Sequence, residues 1–227
     1  MAKRLSAEDL AHTPTYAREA LQALKNSRLF LTGGTGFFGH WLLESLLHAN
    51  REFGLNIQAT VLTRSPASFR QKSPHLAGDP AIHLHAGDIR SFEFPAENFT
   101  HIIHAATDVV TPGDGRPVYD LAESIVDGTR RVLQLAQSSS VGRLLYVSSG
   151  AVYGRSSTVP FTPETYTGAP DPLVAATEPP RPPPHVTTGI FALLAASRPA
   201  PIEDQGNTMS MIAPAPRWAK FWIAAFA

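Results

Sequence analysis

Cysteine is absent from the 227 residues, which excludes a disulfide scaffold, a cysteine-ligated zinc site and thiol catalysis. Excess charge of either sign is absent too: 19 basic side chains face 19 acidic ones, and the formal net charge is zero. A basic field of the kind that nucleic-acid binding uses is therefore not expected. No apolar run approaches the roughly 18 residues of a membrane span, and no signal-peptide pattern opens the sequence. These absences lead to the expectation of a cytoplasmic globular protein with no nucleic-acid or membrane partner. The length suits one full domain, or one domain and a fragment, and 43% hydrophobic residues can fill a sizeable core. Proline is unevenly spread, with 13 of 20 falling between Pro160 and the C-terminus.

Residues 1–27 read as a leader, with Ser6 and Asp9 in capping-box spacing before a helical stretch to Lys25. From Arg28 the pattern alternates. Leu29-Phe30-Leu31 is a short apolar run that ends in a glycine cluster, and Trp41–Leu47 then carries leucines at helical spacing. Strand-like runs follow at Ile57–Leu62, Ile82–His85 and Ile102-Ile103. A helical pattern over Leu121–Ala136 and a fifth run at Leu144–Val147 complete the series. Strands alternating with helices predict βαβ units: an α/β, Rossmann-type, doubly wound parallel sheet with helices on both faces. This order stops after Pro172. Residues 173–227 read as a proline-rich, poorly ordered tail, with a helical turn or two at Ile190–Ala196 and another at Trp218–Phe226.

The residues richest in chemistry are Thr32-Gly33-Gly34-Thr35-Gly36-Phe37-Phe38-Gly39, between a strand and a helix. Glycines there permit a tight turn, close approach of backbone to a pyrophosphate, and close helix–strand packing. The helix N-terminus adds N–H groups and a positive dipole end. NAD-type sites place Asp or Glu about 20 residues further on, against the ribose hydroxyls. No acidic residue lies between Phe53 and Gly78; the second strand ends instead in Leu62-Thr63-Arg64-Ser65. Arg64 could meet a 2′-phosphate with its bidentate fork, so the cofactor expected is NADP or NAD, with NADP favoured. His83 and His85 alternate onto one strand face, but no third ligand follows at useful spacing, and no metal is expected.

With these residues in view, the sequence resembles the extended short-chain dehydrogenase/reductases, the NAD(P)-dependent sugar-nucleotide epimerases and dehydratases. Gly33, Gly36 and Gly39 meet that family's T-G-x-x-G-x-x-G. Gly87-Asp88-Ile89-Arg90 is similar to its G-D-[IL]-R, and His104-Ala105-Ala106 to its H-x-A turn. Tyr146–Gly154 resembles its S-S-x-x-V-Y-G signature. The resemblance implies a cofactor site of Gly33, Thr35, Gly36, Phe37, Phe38, Gly39, Asp88, Ile89, His104, Ala105 and Ala106, to which the local charge argument adds Arg64. It implies that the Asp88 carboxylate accepts from the adenine amino group. It also implies that Ser149 is the catalytic serine, whose hydroxyl steadies the reacting oxygen of a nucleotide-sugar substrate.

One part of that pattern is missing. Such enzymes also use Tyr-x-x-x-Lys about 25 residues beyond the serine, where the lysine lowers the tyrosine's pKa for proton exchange. No tyrosine here has lysine four positions on, and Lys220 is the only lysine beyond Lys72. The expected window holds the proline-rich Val174–Pro184, and the substrate lobe is expected to be largely missing. Dropping the first two bases of the Val174 codon leaves codons that permit Tyr-Gly-Ala-Ser-Lys by Arg181. The expectation is therefore a frameshift near Pro172–Val174, giving an impaired epimerase- or reductase-type enzyme. Alternatives are a non-catalytic dinucleotide-binding module, as sensor or partner-binding unit, and a protein like the acyl-thioester reductases. An uncovered sheet edge and apolar surface predict marginal stability or a homodimer.

Overall fold

The computed structural model describes residues 4–106, 118–147 and 192–194. By its contacts the chain divides into two units, Met1–Tyr146 with Leu193–Ala227, and Val147–Ala192. The architecture below belongs to the first.

Helix α1 (Ala7–Ala23) starts as the leader's spacing predicts: the Ser6 side chain accepts from the Asp9 N–H. It contains Pro14 and leaves helical dihedrals at Ala17. Ala17, Leu21 and Leu24 are buried on one face, and the helix packs on α2 (Phe37–Phe53). Helix α2 stops at Gly54, whose left-handed conformation (φ 61°) lets its N–H return to the Asn50 carbonyl. A second tie joins leader and domain. The Leu5 N–H donates to Glu44 Oε2 at 2.9 Å, and Glu44 Oε1 lies 3.0 Å from His75 Nε2 in the short helix α4 (Pro74–Ala77). Glu44 is buried, so these partners replace the water that its charge has lost.

The strands are β1 (Arg28–Thr32), β2 (Gln58–Thr63), β3 (Ile82–Ala86), β4 (His101–His104) and β5 (Arg143–Tyr146), paired in parallel in the order β3-β2-β1-β4-β5. Helix α3 (Pro66–Lys72) follows β2, and α5 (Val118–Ser138) joins β4 to β5. This is the doubly wound parallel sheet that the alternating pattern predicts. Phe30 of β1 anchors one face, stacked on Phe92 at 5.4 Å and tilted against Phe99 at 5.1 Å, among Leu62, Ile102, Val132, Leu135 and Leu144. Because the chain leaves edge strand β3 to return beside β1, the crevice between β1 and β4 is the topological switch point. Open α/β sheets take their ligands there.

The tail differs from its reading at one place. Ala192–Leu194, expected within a helical turn, is a sixth strand, β6, beside β5. A short apolar run does not distinguish the two states by periodicity. Trp218–Phe226 and the rest of the tail lie outside the described residues.

Candidate functional site

At the end of β1 the chain must turn sharply to begin α2, and its glycines sit where side chains do not fit. Gly33 has φ 75°, and a β-carbon on it would collide with the Ala105 carbonyl and the Ala106 amide. A β-carbon on Gly39 would run into the backbone of Gly33 and Gly34. The turn closes through the Gly36 N–H donating to the Gly33 carbonyl at 3.1 Å. Gly36 is the N-cap of α2 and brings no side chain to cap it, and the first turn contains no acidic residue. Thr35, Gly36, Phe37 and Phe38 are exposed around this helix end. An uncapped N-terminus with no carboxylate nearby suits a pyrophosphate. The residues present therefore fit a dinucleotide.

Across the switch point, β4 ends at His104, and Ala105-Ala106 form the facing wall. The Thr32 hydroxyl oxygen accepts from the Ala105 N–H at 3.1 Å and the Ala106 N–H at 3.0 Å. It also lies 2.7 Å from His104 Nδ1, while His104 Nε2 is 3.2 Å from Thr129 Oγ1 of α5. Burial of the His104 ring pushes its pKa down to about 4. Thr32 and Thr129 carried no role in the sequence reading. Thr32 opens the glycine motif, which is its one local signal, and nothing local marks Thr129 among the polar positions of an amphipathic helix.

The third corner is built from the ends of β2 and β3. Arg64 follows Thr63 and is exposed; among the described residues it has no hydrogen-bond or ion-pair partner. Ser65 beside it caps α3, accepting from the Ser68 N–H. Asp88 follows β3, and its Oδ1 accepts from both the N–H and Nε of Arg90 at 3.0 Å. Burial opposes the Asp88 charge, but the hydrogen bonds and charge of Arg90, helped by the charge of Arg64, hold its pKa below the usual carboxylate value. Ile89 turns into the core and packs against Gly128 of α5.

The structure thus brings Gly33, Thr35, Gly36, Phe37, Phe38 and Gly39 together with Ala105 and Ala106 at the switch point. Arg64 and Asp88 stand at the neighbouring strand ends. Ser149 and Tyr153 lie outside the described residues. His83 and His85 have ordinary partners, the Gln58 side chain at 3.0 Å and the Glu93 carbonyl at 2.8 Å. Among the described residues no group of three or more His, Cys, Asp or Glu could hold a metal ion, and no helix is long and apolar enough to cross a membrane.

Strand order and glycine turn together define a Rossmann-type fold, and the uncapped helix suits a dinucleotide. The sequence model of the NAD dependent epimerase/dehydratase family matches residues 29–175, and the chain belongs to that family. Vestitone reductase of Medicago sativa is 29% identical over 128 residues, covering 55% of this chain and 38% of that protein. A putative dihydroflavonol 4-reductase of Synechocystis is 31% identical over 149 residues, 65% of this chain and 40% of that one. Among solved structures, an epimerase from Methanothermobacter thermautotrophicus is similar in fold, with a TM-score of 0.53 at 24% identity, covering 66% of this chain and 43% of that one. The chain spans about two fifths of the length of these relatives.

Proposed function

We propose that this chain binds NADP(H) in preference to NAD(H), in the scaffold of an epimerase- or reductase-type oxidoreductase whose catalytic step is impaired. The observation that carries the preference is Arg64. It is a guanidinium with no hydrogen bond or ion pair among the described residues, near enough to Asp88 only to lower its pKa, at the strand end where an NAD-type site would put a carboxylate. The α2 N-terminus would hold the pyrophosphate, and Arg64 the 2′-phosphate by a charged fork. When bound, the dinucleotide supplies hydride transfer. For its substrate, a nucleotide sugar in the family's usual chemistry, Ser149 would hold the reacting oxygen. The chain offers no Tyr-x-x-x-Lys to exchange the proton, so the reaction stalls at that demand.

A second reading takes the same absence at face value: the domain binds dinucleotide and does no chemistry, serving as a sensor or partner-binding module. A third variant is a reductase of acyl thioesters; the names of two curated relatives, both reductases, support reduction as the reaction but not that substrate. Fluorescence titration with NADPH and NADH tests the cofactor. We expect NADPH to bind about tenfold more tightly, the size of one charge-assisted contact, and Arg64→Leu to erase the difference. Equal wild-type affinities would remove Arg64 from the site. Turnover of any nucleotide sugar by the wild-type chain would contradict the impairment.

A further inference from the structure

Thr32 serves three neighbours with one hydroxyl, and that arithmetic fixes the state of a histidine. A hydroxyl has two acceptor lone pairs and one proton. The N–H groups of Ala105 and Ala106 can only donate, and both reach Thr32 Oγ1, the Ala105 N–H being shared with the Thr32 carbonyl at 3.2 Å. The hydroxyl proton therefore goes to His104 Nδ1, 2.7 Å away. That nitrogen is an acceptor, so the neutral ring carries its proton on Nε2 and donates it to Thr129 Oγ1 at 3.2 Å. The chain of bonds runs in one direction, from β1 through β4 to α5.

We infer that His104 is a positioning residue for the cofactor wall: as the Nε2–H tautomer it holds the Thr32 hydroxyl in the orientation that receives Ala105 and Ala106. The inference rests on the dinucleotide reading of this crevice. Its leverage comes from Gly33, against whose α-carbon the same two residues pack without space for a methyl group. Any shift of the Ala105-Ala106 wall is felt directly in the glycine turn. A protonated ring would bring a hydrogen on Nδ1 to an oxygen that has no third lone pair, so the Ala105 N–H would fall back on the Thr32 carbonyl alone or the Ala106 N–H would have to let go. The groups meeting the ring are Thr32 from β1, Thr129 from α5 and the Tyr146 ring of β5 at 5.3 Å, of which only Tyr146 is titratable. Burial alone depresses the histidine's pKa. The relay is thus intact at neutral pH and is released by acid.

Nitrogen-15 labelling of histidine in the full chain reads the tautomer directly. His104 is expected to show protonation at Nε2 and a bare Nδ1 at pH 7; the reverse pattern overturns the inference. NADPH titration at pH 7.5 then tests the coupling. Thr129→Val should weaken binding about tenfold, as for one lost hydrogen bond, and Thr129→Ser should restore it. His104→Asn places an untitratable amide oxygen near the Nδ1 position. The stability gap between wild type and this variant should shrink as pH falls from about 6.5 to 4. A constant gap, or full NADPH affinity in Thr129→Val, would refute the role. Binding of neither dinucleotide by the wild type would instead refute the dinucleotide reading, while the tautomer spectrum would still judge the relay.

Discussion

Gly33 and Ala105 touch through their backbones, with no room for a β-carbon between them. The first strand's turn and the fourth strand's turn therefore form one rigid wall. Gly33→Ala would add the left-handed strain of φ 75° to that collision, a cost of about 2–4 kcal/mol. Gly36→Ala should behave differently. Its β-carbon would lie 3.4 Å from the Gly33 carbonyl, an ordinary contact, so stability should stay within about 1 kcal/mol of wild type. Yet the methyl would stand where a pyrophosphate approaches α2, and dinucleotide affinity should fall at least about tenfold. Urea unfolding beside NADPH titration separates the two; equal losses of stability would be the wrong result.

Stability should depend on acid in two stages. His104 has a folded pKa of about 4 against about 6.5 unfolded. Folding thus favours the neutral ring, and its contribution is complete above pH 6.5. It declines as pH falls towards 4, by on the order of 3 kcal/mol in all. His101 is depressed by burial and then by Arg143, and acts in the same direction. Asp88, held below its usual value, contributes fully above about pH 4 and loses that contribution only below it. Urea midpoints measured from pH 8 to 4 should drop below pH 6.5; a flat profile from pH 7 to 5 would contradict the burial of His104.

Helix α5 carries Ile125, Val126 and Leu133 at 39, 54 and 46% exposure, with Thr129 between them on the helix surface. We expect self-association through this stripe, since apolar side chains so placed gain by leaving water. Sedimentation at rising concentration should reveal a dimer that Leu133→Lys weakens. A monomer at every concentration would dispose of it.

The gene offers a further check on the missing base. Reading from the last base of the Val174 codon should give Tyr-Gly-Ala-Ser-Lys followed by sequence resembling the family. The match to the family ends at residue 175, beside the proposed shift. DNA in which no frame continues the family pattern would end this explanation.

The sheet and its glycine turn were legible because each rests on local pattern. Leu29-Phe30-Leu31 before Gly33, and leucines at helical spacing after Gly39, identify strand, turn and helix without tertiary knowledge. The bounds moved by a few residues: α5 runs from Val118 to Ser138, beyond the apolar positions Leu121–Ala136 that betray it. What stayed hidden depends on distant partners. Asp88 reads as an adenine acceptor by motif, yet its Oδ1 is engaged by Arg90, which spacing alone does not reveal. Thr32, His104 and Thr129 are separated by 72 and 25 residues, and only the pairing of β1 with β4 brings the first two together.

The Glu44 clamp constrains how this chain can change over evolutionary time. Its carboxylate serves the Leu5 backbone and His75 at once, so an apolar residue at position 44 would orphan two partners in separate segments. Drift at position 44 alone is penalised. Relatives that abandon the acid should also have re-engineered position 75 and the approach of the leader, and the three sites should vary as a set.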